Sequence, residues 1–332
     1  MPETTTEGAP RVIMYREALN EALKEEMRKD SKVFCLGLGI ADRGGSYKVT
    51  QGLLQEFGPN RIFDTPIAEA GFTGAAIGAA ITGMRPVVEI LFIDFTYLTM
   101  EQMCNQAAKY RVMSGGKGHV PMVLRTQGGL GNGLAAQHSQ SLEALFYHIP
   151  GLKVVMPSTP YDAKGLLKSA IQDEDPVVFI EHKLLYMNKG EVPAGEYVIP
   201  LGKGDIKRKG SRATIIAWSN MIPRSLAAAE KLAAEGIDVE VLDPRSLVPL
   251  DKDLILESVR KTEHVVIVQE AVRRGGVASD IASIIQEEAF DYLDAPITIL
   301  GGLNTPIPYN LNLEKHCAPL EEDIVAAVKK IV

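Results

Sequence analysis

Cysteine is scarce in this sequence. There are three, at positions 35, 104 and 317 of 332 residues, far apart and in apolar or helical surroundings. That number and spacing exclude a disulfide framework and point to reduced thiols. Positive charge is also in deficit: 35 Lys and Arg stand against 42 Asp and Glu, for a net charge of −7 and a pI near 5.5. Such a balance argues against nucleic acid as a partner. No apolar run is long enough to span a bilayer, since the longest stretch, 68–84, is glycine-rich and carries Glu69. The opening "MPETTTEGAP" is polar and acidic and has no arginine before Arg11, unlike a secretory signal or a transit peptide. A cytoplasmic protein with a loose tail over residues 1–10 is therefore expected.

Common signatures of chemistry are missing as well. There is no G-x-x-x-x-G-K-[ST] phosphate loop, no H-E-x-x-H or cysteine pair for zinc, and no G-x-S-x-G nucleophile elbow. The loop "GGLGNG" (128–133) follows a strand-like run, but its glycines do not fit G-x-G-x-x-G. It reads equally as a tight strand-to-helix turn or as a phosphate contact. What remains is a soluble chain, 46% apolar and 23% charged, long enough for two buried cores.

The sequence alternates helical and strand-like segments from Val12 onward. "MYREALNEALKEEMRKD" (14–30) has apolar residues at helical spacing, and "KVFCLGLGI" (32–40), "RPVVEILFI" (85–93), "HVPMVLRTQ" (119–127) and "PVVFIEHK" (176–183) read as buried strands. A long helix is expected over 95–115 and another over 161–173. A Gly/Pro/Lys-rich interval, 188–211, reads as a linker, after which alternation resumes to a C-terminal helix. Strand–helix–strand order implies α/β architecture with mainly parallel sheets. Two domains are expected, 11–190 and 206–332, joined by a linker at 191–205.

Three clusters carry candidate chemistry. In "TPIAEAGFTGAAIGAA" (65–80) Glu69 is the one charge among small and apolar residues. Pro66 suits the start of a helix running from about 68 to 82, and a first-turn glutamate there complements the helix dipole. Gly71, Gly74 and Gly78 recur at helical spacing, which costs about 1 kcal/mol each against alanine. Close approach of another helix would offset that and bury Glu69, and a buried carboxyl can hold and share a proton. In "FIDFTY" (92–97) Phe92, Phe95 and Tyr97 are either core or a stacking platform for a heterocycle. In "GLAAQHSQS" (133–141) His138 follows a glycine-rich loop at a strand's C-terminal end, where α/β proteins bind ligands; a structural histidine is the alternative.

These clusters, in this order, resemble the beta subunit of the thiamine-diphosphate-dependent decarboxylating component of 2-oxo acid dehydrogenase complexes, of pyruvate, branched-chain or acetoin type. The matching pieces include "GGSYKVTQGL" (44–53), "RIFDTPIAEAGFTGAAIGAA" (61–80), "GMRPVVEILFIDF" (83–95), the run 135–171 through His138, and "LDPRSLVPLD" (242–251), so that the likeness covers nearly the whole chain. The resemblance implies two three-layer α/β/α domains, an N-terminal pyrimidine-binding thiamine-diphosphate fold and a C-terminal transketolase C-terminal-like domain that dimerises and docks partners. It implies that Glu69 hydrogen-bonds the cofactor's aminopyrimidine and promotes the imino tautomer that deprotonates thiazolium C2. Phe95 would stack near the pyrimidine, with Leu38 and Ile40 at the same cofactor site. His138 would handle protons on the intermediate and meet the lipoyl group. The diphosphate and Mg²⁺ would be held by a separate alpha subunit, because this chain has neither "GDG" nor "NN". The implied assembly is α2β2: an obligate alpha partner, a second copy of this chain, and a lipoyl acyltransferase core for complex-forming members. A structural potassium ion would sit near Ala170, Ile171 and Asp173.

Two positions depart from the family pattern. Leu38 and Leu98 stand where relatives carry acids that line a tunnel between cofactor sites, which weakens any proton relay there. The expected activity is decarboxylation of a 2-oxo acid with acyl transfer to lipoyl-lysine. The alternatives are a split transketolase-like enzyme that moves a two-carbon ketol unit, and a non-catalytic assembly subunit.

Overall fold

A computed structural model describes residues 10–332. The tail expected over 1–10 lies outside them apart from Pro10, which begins the first strand. Contacts divide the chain into two compact units. One comprises the residues through Gly128 together with Leu145–Leu201, and the other comprises Gly129–Ala144 with Gly202–Val332. The stretch that carries His138, read from the sequence within 11–190, thus groups with the second unit.

In the first unit the strands are β1 (Pro10–Met14), β2 (Val33–Gly37), β3 (Ile62–Asp64), β4 (Arg85–Ile90), β5 (Val123–Gly128), β6 (Lys153–Val155), β7 (Val177–His182) and β8 (Lys189–Pro193). A parallel sheet runs in the order β6–β7–β5–β4–β2–β3. From β2 the chain steps first to β3 on one side and then to β4 on the other, so sheet order reverses at β2. The helices are α1 (Tyr15–Lys29), α2 (Leu53–Phe57), α3 (Glu69–Ile81), α4 (Ala108–Met113), α5 (Glu143–Tyr147), which begins in the second unit, and α6 (Pro160–Gln172). Helices α1 and α6 share one core with Val33, Cys35, Val87, Val123 and Phe179, which alternate along the strands as the pleat requires. Helix α3 packs on β4 outside that core. Between α1 and α6, Lys164 and Lys168 are fully buried and pair with Glu25, Lys164 Nζ at 2.7 Å. Burial raises the thiol of Cys35 to about 12, so it is inert at neutral pH.

The helix expected over 95–115 is three windings in series. Ile93–Thr99 is a 3₁₀ helix, Glu101–Ala107 a π-helix, and only then does α4 follow. The side chains explain both departures. Thr96 and Thr99 hydroxyls donate to the carbonyls three residues back, at 2.5 and 2.9 Å, which tightens the first winding. Glu101 accepts from Gln106, five residues on, at 2.9 Å, matching the wider π register.

The second unit contains β9 (Asp205–Arg208), β10 (Ala213–Ala217), β11 (Val239–Asp243), the short β12 (Ser246–Val248), β13 (Val265–Val272) and β14 (Thr298–Gly302). Its sheet runs β14–β13–β10–β11–β9, parallel except for β9 at the edge. The helices are α7 (Met221–Ala234), α8 (Lys252–Thr262), α9 (Val277–Ala289), α10 (Leu311–Glu314) and α11 (Glu321–Ile331). Helices α7 and α11 share a core with Ile215, Val241, Val266 and Val268, while α8 and α9 pack together against β10 and β13. The interval read as a linker holds structure at both ends: β8 pairs antiparallel with β1, and β9 with β11. Among the described residues no helix is long and apolar enough to cross a membrane.

Candidate functional site

Glu69 is the first residue of α3, and the backbone before it offers no side-chain cap. The residue is 7% exposed, and its carboxylate oxygens are not among the fully buried polar atoms that lack a partner. Among the described residues the carboxylate has neither a hydrogen-bond nor an ion-pair partner. A buried acid with nothing to bind is unfavourable by itself. Around it the surface is bare: Ile67 is 78% exposed, and Ala70, Gly71, Ala75 and Gly78 are exposed along the helix. A Cβ added at Gly78 would meet nothing within 4 Å, while one at Gly71 or Gly74 would make only ordinary contacts at 3.8 and 3.7 Å. No clash inside this chain demands glycine at any of the three.

The C-terminal ends of β2, β3 and β4 border a cavity of about 590 Å³ lined by Leu38, Arg43, Lys48, Asp64, Thr65 and Leu91. This is the end of a parallel sheet, beside the strand where its order reverses, where α/β folds bind ligands. Thr65 Oγ1 is buried without a hydrogen-bond partner among the described residues. Leu38 reaches the cavity; Ile40 does not, being fully buried in the core with α1 and α6. Phe95 lies on the 3₁₀ helix that packs against α3, half-buried and edge-on to Phe92, with centroids 6.0 Å apart at 74°. Leu98, on the same helix, is exposed.

Sequence reading missed a charged network under this sheet end. Arg125 on β5 donates from Nε and Nη2 to Glu181 at 2.7 and 2.8 Å, and from Nη1 to Glu89 at 2.8 Å. The Tyr186 hydroxyl donates to Glu181 at 2.6 Å. All four side chains are buried. Burial opposes the charge on Arg125, but the two carboxylates outweigh it and hold the guanidinium more firmly protonated than usual. Burial raises the carboxyl of Glu181 above its usual range, and raises the Tyr186 hydroxyl likewise, with Glu181 adding to the effect there. A signal was present: "VVEI", "VLRTQ" and "VFIEH" each place one charge inside an apolar strand. Charges in neighbouring buried strands must pair.

His138 is half-buried on a loop of the second unit, with its amide 3.4 Å from Ala135 O. That loop begins with the glycine-rich turn. Three of its amides are already used: Leu130 N–H donates to Glu270 Oε1 at 2.7 Å, and Gly131 and Gly133 N–H donate to the two oxygens of Glu314, each at 2.9 Å. Carboxylates of this chain take the place a phosphate would need. A cavity of about 350 Å³ flanks the loop, lined by Ser139, Leu142, Glu270, Leu303, Thr305 and Ile307 among others. Glu69, Phe95 and Leu38 thus belong to the first unit and His138 to the second.

Ala170, Ile171 and Asp173 lie at the C-terminal end of α6, and each of their carbonyls accepts a hydrogen bond. Ala170 O accepts from Asp173 N–H at 3.4 Å, while Ile171 O and Asp173 O accept from Arg85 Nη1 at 3.1 and 2.9 Å. The Asp173 carboxylate holds Lys153 at 2.6 Å. Among the described residues no group of three or more His, Cys, Asp or Glu side chains is placed to hold a metal ion.

Two family models match the chain: "Transketolase, pyrimidine binding domain" over residues 11–189, and "Transketolase, C-terminal domain" over residues 202–324. The chain is 48% identical over 319 residues to the pyruvate dehydrogenase E1 component subunit beta of Rickettsia felis, covering 96% of this chain and 98% of that one. It is 48% identical to the acetoin:2,6-dichlorophenolindophenol oxidoreductase subunit beta of Bacillus subtilis, with 97% and 98% covered. It is 46% identical to the 2-oxoisovalerate dehydrogenase subunit beta of the same organism, with 96% and 98% covered. A solved structure described as a split gene transketolase, inactive beta4 tetramer, matches with a TM-score of 0.80 at 26% identity, covering 96% of this chain and 98% of that one.

Proposed function

The chain belongs to the transketolase-like family of 2-oxo acid dehydrogenase E1 beta subunits, and from that premise we propose that it is one half of an α2β2 enzyme that decarboxylates a 2-oxo acid and passes the acyl group to lipoyl-lysine. The observation that carries this reading is Glu69, a buried carboxylate with no partner among the described residues, set at the edge of a bare glycine face. An aminopyrimidine ring nitrogen would satisfy that carboxylate, and the residues present fit the group. Thiamine diphosphate, when bound, supplies the thiazolium carbon that adds to the substrate carbonyl. Glu69 holds a proton against the pyrimidine nitrogen, Phe95 supplies an aromatic face for the ring, and Leu38 keeps that end of the site apolar. His138 moves a proton at the substrate oxygen and meets the lipoyl acceptor.

The diphosphate and Mg²⁺ are assigned to the alpha subunit, and the glycine face of α3 to a subunit contact. A second copy of this chain and a lipoyl acyltransferase are the other partners, in the cytoplasm. At the end of α6 a structural potassium ion is assigned to Ala170, Ile171 and Asp173, whose carbonyls each keep a second lone pair beside the hydrogen bond they accept.

Ketol transfer is a second reading, favoured by the likeness to the split transketolase and by leucine at positions 38 and 98. Assay of the chain with its alpha partner separates the two. Pyruvate, acetoin and 2-oxoisovalerate are offered with a lipoylated acceptor domain, and a ketose with an aldose acceptor. Lipoyl-dependent acyl transfer is expected; ketol transfer with no lipoyl requirement would sink the first reading.

A further inference from the structure

The glycine-rich turn before His138 is held unusually firmly for a surface loop. Gly129 N–H donates to Gln140 O at 3.0 Å, which closes the segment into a loop around His138. Inside it, Gly131 and Gly133 have φ of 111° and 63°, and Ala135, three residues before His138, has φ of 61°. An alanine in the left-handed region costs on the order of 1 kcal/mol and persists only where its surroundings impose it. A Cβ on Gly133 would come within 3.2 Å of Leu311 Cδ2 and 3.3 Å of Tyr309 O, so the turn lies tight against the segment that leads into α10.

What imposes this geometry is a pair of acids. Glu314, at the end of α10, is 1% exposed. Its two oxygens accept the amides of Gly131 and Gly133, and among the described residues no cation pairs with it. Successive main-chain N–H groups that converge on one anion form a nest, and here the anion is built into the chain. Glu270 accepts Leu130 N–H with one oxygen and Asn220 Nδ2 with the other, at 2.7 and 3.3 Å. Hydrogen bonds to a buried carboxylate are about twice as strong as those between neutral groups. Loosening the loop would also leave Glu314 buried and uncompensated, so loop and acid are ordered together.

We propose that Glu314, assisted by Glu270, is a positioning residue for His138: the two carboxylates act as an internal substitute for a phosphate and fix the main chain from which His138 is presented. This rests on the role given to His138 above. It also weighs against the glycine turn as a nucleotide site, because the amides of Gly129, Leu130, Gly131 and Gly133 already have acceptors.

The test uses the full chain assembled with its alpha partner, as wild type, Glu314→Gln, the milder Glu270→Gln, and His138→Ala. Amide hydrogen exchange over 129–144 is read beside three kinetic quantities: kcat and KM for the lipoylated acceptor, and C2 proton exchange of bound cofactor. Glu314→Gln is expected to speed exchange of the loop amides by about tenfold or more, the scale of one lost charge-assisted bond. It should lower kcat for the acceptor by a similar factor and leave C2 exchange within about twofold. Glu270→Gln should do the same more weakly, and it supplies the answer if Glu314→Gln does not fold. Unchanged loop protection in both variants overturns the proposal, as does a loss shared equally by C2 exchange and acyl transfer. Normal acyl transfer by His138→Ala would instead remove the role of His138, while loop protection still decides whether Glu314 holds the turn.

Discussion

Glu69 and Glu181 are both buried in the first unit, at 7% and 1% exposure, yet they are provided for very differently. Glu181 has a bidentate guanidinium and a tyrosine hydroxyl, all from this chain. Glu69 has no partner within it among the described residues, and the helix it begins is lined by glycine and alanine facing open space. A chain that gives one buried acid three hydrogen bonds has given another no partner among the described residues. The first closes the sheet and is complete by itself. In the function proposed above, the second is half of an interaction whose other half cofactor and subunit would supply. The glycine turn of the second unit follows the first pattern, with three of its amides held by Glu314 and Glu270.

The contrast is broken or upheld most forcefully at Glu69. Glu69→Gln should lower C2 proton exchange of the assembled, cofactor-loaded enzyme by about 10²- to 10⁴-fold, the usual weight of a positioned acid–base group. The isolated chain should be about as stable as wild type, because no hydrogen bond is lost and the side-chain volume is kept. Exchange measured by NMR at the wild-type rate in the variant refutes the role. A marked fall in unfolding midpoint would mean that Glu69 is tied down within the chain after all.

Glu181→Gln should behave in the opposite way. It leaves Arg125 buried with one carboxylate fewer, a change that typically costs about 3–5 kcal/mol. Denaturant unfolding of the isolated chain measures it, and a cost below about 1 kcal/mol would mean that the network is solvated or redundant. Acidity gives a second reading. The Glu181 carboxyl is raised in the folded state, so between its unfolded value, about 4.3, and its folded value the native chain holds a proton that the unfolded chain has lost. Stability from this group is therefore full below the lower value and lost as pH rises through the higher one. The wild-type curve should carry that downward component and Glu181→Gln should lack it. Parallel curves would show that Glu181 does not titrate in this window.

The same contrast explains how much was legible in the sequence. Helix α3, expected over about 68–82, forms over Glu69–Ile81, because alanine favours helix and the buried Phe72, Ala76 and Ala80 recur at helical spacing, in spite of the three glycines. Parallel sheets in two units were likewise legible from strand–helix alternation. The 3₁₀ and π windings after β4 were not, since they depend on which carbonyl a threonine or glutamine side chain reaches, and an average propensity does not encode that. Arg125, Glu89 and Glu181 were visible as charges in apolar strands but not as partners, because pairing requires the strand order. Glu314 was the least accessible. It lies 181 residues from Gly133 and carries no motif.

The smallest effect offers the sharpest division between what belongs to this chain and what belongs to its assembly. At Gly78 a Cβ would meet open space, the backbone is helical, and the residue is exposed. Gly78→Ala should therefore stabilise the isolated chain by about 0.5–1 kcal/mol, the ordinary gain for alanine in a helix interior. If the bare face exists to let another subunit approach, the same methyl group should weaken assembly with the alpha partner. Thermal unfolding of the chain alone, and sedimentation or calorimetry of the mixture, give the two numbers. Opposite signs mean that glycine is kept at this position for the partner's sake. A gain in both would show that this face of α3 is simply solvent-exposed, and the carboxylate beside it, without a partner among the described residues, would then need an explanation from within the chain.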